Sequence, residues 1–145
     1  MTPQERIIDV LGGAKPLKLK RKTTRLTLPA QIRAGLQFSA LESLQERYHI
    51  SQAQLQGLLD ISDRTLARRR AQRVLSKAES DRLYRLARVA ARAEEVLGSR
   101  ETAERWLKEP LPTLGGETPL SLLDTDEGAQ QVGDVLGRIE HGVFS

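Results

Sequence analysis

The chain has no cysteine, two histidines and very few aromatics (two Phe, two Tyr and one Trp). Without cysteine there is neither a disulfide framework nor a thiolate metal site. His49 and His141 alone leave little for a histidine-based centre. No uncharged apolar run approaches the length of a membrane span, so no membrane partner is expected. The opening stretch "MTPQERIIDVLGG" carries acids and no apolar core segment, so no signal peptide is expected and the chain reads as cytoplasmic. Catalytic signatures are also missing. "TLGGETPL" has two glycines but no lysine after them and is no phosphate loop. No serine, histidine and acid fall at a spacing that would activate a nucleophile. Asp124, Asp126 and Glu127 lack the ligand count and loop spacing of a calcium site, and helix capping explains them better. The sequence therefore implies no enzyme, no catalytic residue, no metal and no cofactor.

What the chain does have is charge, unevenly spread. Residues 1–50 carry nine Lys/Arg against four Asp/Glu, and residues 51–92 carry ten against four. Residues 93–145 reverse the balance, with four against eleven. A basic first two-thirds favours a polyanion, and an acidic last third favours a different partner.

Nearly every segment reads as helix, and the expected fold class is all-α. Thr2 and Glu5 form a capping box around Pro3, and Gly12-Gly13 ends that helix. "KPLKLKRKTTRLTLP" reads as a flexible basic arm over 15–25, with a short strand at Leu17 and Leu19 as the alternative. Pro29 opens a short helix that Gly35 stops. Leu41, Leu44 and Tyr48 mark an amphipathic helix from about Ser39 to about Tyr48. Ser51 caps a helix with Leu55, Leu58 and Leu59, which breaks at Asp60, and Ser62 caps the next almost at once. Ser76 and Glu79 open a long helix ended by Gly98, and Ser99 caps another, supported by Glu101–Arg105 and Glu104–Lys108 pairs. Thr118 and then Thr125 or Asp124 cap two more, the last with Val132, Val135, Leu136 and Ile139 on one face. Trp106 reads as core and His141 as a cation at a helix C-terminus. The expected division is an N-terminal helix and basic arm (1–36), a helix-turn-helix region with its long following helix (37–98), and a small C-terminal helical domain (99–145).

Two short helices joined by about three residues are a helix-turn-helix signal. With Leu66 inward and 100° per residue, Arg64 and Arg68 point directly outward, with Thr65 and Gln72 beside them. These are the base-reading candidates. Asp63, Arg69, Arg70 and Arg73 lie nearer the core side; Arg69 and Arg73 join the candidate DNA-contacting set. Ser51 and Gln52, at the preceding helix N-terminus, suit a phosphate contact. Arg85, Arg88 and Arg92 make a separate basic stripe. Gln56 and Asp60 depart from the common pattern, which has a small residue and a glycine at those places; Asp60 can adopt the left-handed turn. The plainer reading is a structural helical hairpin with solvated arginines.

"ISDRTLARRRAQRVLSKAESDRLYRLARV" and "RWLKEPLPTLGGETPLSLLDTDEGAQQVGDVLGRIEHGVFS" resemble the Xre/MbcA/ParS-type antitoxins, over about residues 30–145. The motifs in order are "SDRTL", "LS" followed by "ES", the lone Trp106, "GGETPL" and "GRIEHG". The resemblance implies a helix-turn-helix region joined to a C-terminal toxin-binding domain. It also implies a partner toxin of the RES type, an NAD-degrading enzyme neutralised by covering its active-site cleft, and an operon repressed by the complex. On that basis Val143, Phe144 and Ser145, with Arg138, Ile139 and Glu140, are the expected toxin-binding residues. Phe144 becomes an aromatic anchor in the toxin rather than part of this chain's core. Operator DNA is the expected second partner, and a homodimer within a larger toxin–antitoxin complex follows from reading two half-sites. The alternatives are a DNA-binding repressor whose C-terminal domain only dimerises it, and a localisation or scaffold protein with no DNA role.

Overall fold

The computed structural model describes residues 2–13 and 28–142. These form eight α-helices and two 3-10 turns, with no strand among them: α1 (Pro3–Val10), α2 (Leu28–Ala34), α3 (Phe38–Tyr48), α4 (Gln52–Leu59), α5 (Asp63–Gln72), α6 (Lys77–Leu97), α7 (Arg100–Leu107), the turns Pro112–Leu114 and Leu120–Asp124, and α8 (Asp126–Glu140). The all-α expectation holds. The basic arm 15–25 and Val143, Phe144 and Ser145 lie outside the described residues.

The helix starts follow from local chemistry. Thr2, Ser51 and Ser76 each close a capping box, with Glu5, Gln54 and Glu79 reaching back to the cap N–H. Ser62, Ser99 and Thr125 cap α5, α7 and α8 through their hydroxyls. Thr125 rather than Asp124 opens α8. The segment after Thr118 is a 3-10 turn, because only a few residues separate Pro119 from the Thr125 cap, too few to settle into an α-helix. The Thr118 hydroxyl still accepts from the Ser121 N–H at 3.1 Å.

The α6 helix is the axis of the molecule. Leu83, Leu86, Ala87, Ala90 and Ala93 are buried on it, and α1, α2, α4, α7 and α8 all pack against it. Each such leucine contributes about 1.5–3 kcal/mol by leaving water. The expected stripe on α8 is present, with Val132, Val135 and Leu136 buried and Ile139 partly so. Trp106 is only half-buried at the edge of this core; Ala103 and Leu107 do the filling on α7. Glu101 pairs with Arg100 at 3.3 Å rather than with Arg105, while the Glu104–Lys108 pair forms at 3.4 Å.

Two glycines mark close approaches. Gly35 has φ +99°, and a side chain there would drive a carbon to within 2.3 Å of the Leu75 carbonyl oxygen. That contact lets residues 36–38 pair with 73–75: Leu75 N–H donates to the Leu36 carbonyl (2.9 Å) and Phe38 N–H to the Arg73 carbonyl (3.0 Å). The chain leaving α5 is thereby tied to the chain entering α3. At Gly128 a Cβ would meet the Leu122 carbonyl oxygen at 1.8 Å, so the first turn of α8 can rest directly on the preceding 3-10 turn only with glycine there.

Candidate functional site

Between α4 and α5 the turn is Asp60-Ile61-Ser62. Asp60 takes the left-handed conformation (φ 55°, ψ 53°) and its N–H donates to the Gln56 carbonyl. The carboxamide of Gln56 donates to Asp63 Oδ1 (2.8 Å) and to the Ile61 carbonyl (3.4 Å). The bulky residue at that position is accommodated by lying along the turn and bracing it. That brace is not legible from helical spacing, because Gln56 and Asp63 sit on different helices.

The α5 helix hangs from the body by few contacts. Leu66 is its buried apolar anchor. Arg69 adds a charged one: its Nε donates to Glu79 Oε1 at 2.7 Å and its Nη2 to Glu79 Oε2 at 3.2 Å. Burial alone would raise the Glu79 carboxyl; the Arg69 and Ser76 hydrogen bonds outweigh it and hold it below the ordinary carboxylate value. Arg70 lies over the Phe38 ring, 5.4 Å from its centre. Arg64 and Arg68 stand exposed, Gln72 is exposed with its carboxamide oxygen accepting from Arg69 Nη1 at 3.3 Å, and Thr65 is half-buried beside Ser62, whose hydroxyl donates to it at 3.2 Å. Arg73 is exposed but its backbone is left-handed (φ 65°), ending the helix. Of the eight candidate DNA-contacting residues, the structure leaves Arg64 and Arg68 exposed, while Thr65 is held by Ser62 and Gln72 by Arg69. It sets Arg69 inward against Glu79. The Ser51 hydroxyl is occupied in its capping box, and Gln52 is exposed one residue on.

The arginine stripe on α6 divides. Arg85 is buried, donating to Asp126 Oδ1 at 2.6 Å and to the Leu123 carbonyl at 3.4 Å. It pins the N-terminus of α8 and so leaves the basic stripe expected of Arg85, Arg88 and Arg92. Arg88 and Arg92 remain exposed. At the end of α8, Arg138 and Glu140 are exposed on either side of the half-buried Ile139, and His141 lies 3.6 Å from Glu140. Among the described residues no group of three or more His, Asp and Glu side chains is placed to hold a metal ion, and no helix is long and apolar enough to cross a membrane.

Comparison with known proteins adds two family matches. The antitoxin Xre-like helix-turn-helix domain matches residues 27–88, and the antitoxin Xre/MbcA/ParS C-terminal toxin-binding domain matches residues 92–142. The two stretches meet inside α6. The chain is 35% identical over 116 residues to Antitoxin Xre of Yersinia enterocolitica, covering 79% of this chain and 78% of that one. It is 33% identical over 120 residues to Antitoxin Xre of Photorhabdus laumondii, covering 81% of each. It is also 30% identical over 124 residues to the Prs ADP-ribosylating antitoxin of a Sphingobium species, covering 79% of this chain and 78% of that one.

Proposed function

The chain belongs to the Xre antitoxin family, and from that premise we propose that it neutralises a RES-type NAD-degrading toxin with its C-terminal domain and represses its own operon by binding operator DNA. The observation that carries the DNA half is on α5, where Arg64 and Arg68 are exposed while Arg69 is held by Glu79 and Arg70 lies over the Phe38 ring. Exposed arginines near the N-terminal end of such a helix suit guanine edges in a major groove, with Thr65 and Gln72 beside them. Gln52, at the start of α4, suits a phosphate.

The toxin half is supported by the match of the C-terminal stretch to a toxin-binding domain and by the resemblance of its motifs to antitoxins of RES toxins. In this reading α8 delivers Arg138, Ile139 and Glu140 to the toxin, with Val143, Phe144 and Ser145 plugging the cleft. The acidic balance of residues 93–145 complements a site built to hold the NAD pyrophosphate. The place of action is the cytoplasm, where operator and NAD pool both lie.

Co-expression tests the two halves separately. With a RES toxin induced, cellular NAD should be preserved only when this chain is present, and a promoter fragment from its operon should be bound in a salt-sensitive way. Equal NAD loss with and without the chain would sink the antitoxin half. Salt-insensitive binding, or none, would leave a toxin inhibitor that does not read DNA.

A further inference from the structure

Between α6 and α8 runs an open groove of about 890 Å³. Its two walls carry Arg88 and Arg92 from α6 and Arg138 from α8, over an apolar floor that includes Val89, Ala129 and Leu136. Arg92 reaches across to the far wall: a methyl group at Gly137 would lie 3.3 Å from its Nη2. None of these three arginines forms an ion pair or hydrogen bond among the described residues. Below them Arg85 is buried with its Nε unpartnered, although its Nη1 is spent on Asp126. The other acid in the lining, Asp134, accepts from the Gln130 carboxamide at 3.1 Å. Glu95 and Glu140 border the neighbouring hollow on the far side of Arg88 and Arg92, and neither forms an ion pair with them. Gathering like charges in one concavity raises the local potential and draws in an anion.

The α6 wall draws its arginines from the basic stretch 51–92, and Arg138 adds a cation from the otherwise acidic stretch 93–145. The α8 wall is bare at Gly133, where an added Cβ would meet nothing within 4 Å, which leaves room for an incoming backbone to come close. The groove is open rather than enclosed, and most of its wall belongs to the stretch that matches a toxin-binding domain. We infer that the α6–α8 groove docks an acidic segment of the toxin, whose carboxylates are received by Arg88, Arg92 and Arg138. This rests on the antitoxin reading and adds a second contact to it, of the opposite charge sense.

The test is toxin affinity, measured by calorimetry on the full chain at several salt concentrations, beside operator affinity and a thermal melt. Arg88→Glu with Arg92→Glu should weaken toxin binding by about tenfold or more and flatten its salt dependence, since charge complementarity is lost. Operator binding and melting temperature should stay unchanged. Gly133→Leu, which fills the groove without altering charge, should weaken toxin binding as well. If both variants bind toxin as the parent does, the inference is overturned. It is equally overturned if the charge variant loses operator affinity alone, which would make the groove a DNA contact. If the unmodified chain binds no toxin at all, the antitoxin reading fails first and takes the groove with it.

Discussion

At the scale of single residues, neighbouring arginines on α5 have opposite duties. Arg64 and Arg68 are exposed, whereas Arg69 is half-buried and shares two hydrogen bonds with the buried Glu79. Arg64→Ala and Arg68→Ala should each weaken operator binding by about 1–3 kcal/mol while leaving the melting temperature in place, because a lost base contact costs about that much. Arg69→Ala should do the reverse at first order: it strands a buried carboxylate and should destabilise the fold by about 2 kcal/mol. Fluorescence anisotropy on the operator, run beside thermal melts, separates the two effects. The sequence legibly placed Arg69 toward the core from its angle to Leu66. Its partner was not legible, because Glu79 lies ten residues on, past the end of α5. The same limit hid the burial of Arg85, whose partner Asp126 is 41 residues away.

At the scale of elements, α3, α6 and α7 are joined by polar contacts that helical patterning does not reveal. Arg47 donates twice to Glu94, at 2.8 and 2.7 Å, and the Tyr48 hydroxyl donates to the same carboxylate. Arg100 of α7 donates to the Arg47 carbonyl (2.7 Å) and Lys108, just past the end of α7, to the His49 carbonyl (2.9 Å), so two cations finish the C-terminus of α3. Burial by itself would raise the Glu94 carboxyl, and the bonds from Arg47 and Tyr48 overcome it, leaving it below the ordinary value of 4.5. A carboxyl lowered in the folded state contributes stability that is complete above its unfolded value and is lost as pH falls through the folded one. Glu94→Gln should therefore cost about 2 kcal/mol at neutral pH, a drop of roughly 4–8 °C in melting temperature. The penalty should shrink as pH falls below 4.5. A penalty that does not change over that range would show that the carboxylate charge contributes nothing. Helix starts, by contrast, were legible, since Ser51, Ser76, Ser99 and Thr125 act on N–H groups three residues away.

At the scale of the whole molecule, α6 carries both the body of the helix-turn-helix region and the α8 seat. The order of modules and their helical class were legible because each is written in local patterns: caps, turn residues and apolar spacing. The groove between α6 and α8 was not, because it exists only where two distant helices meet. Sedimentation of the purified chain with operator DNA should give two copies per site, as expected for a dimer reading two half-sites; a single copy would contradict it. Purified RES toxin should lose its NAD-consuming activity as the full chain is added, reaching near-complete suppression at a fixed stoichiometric ratio. A chain ending at Gly142 should retain its melting temperature and operator binding but inhibit less well. Toxin activity unmoved by an excess of the full chain would contradict the account at its root.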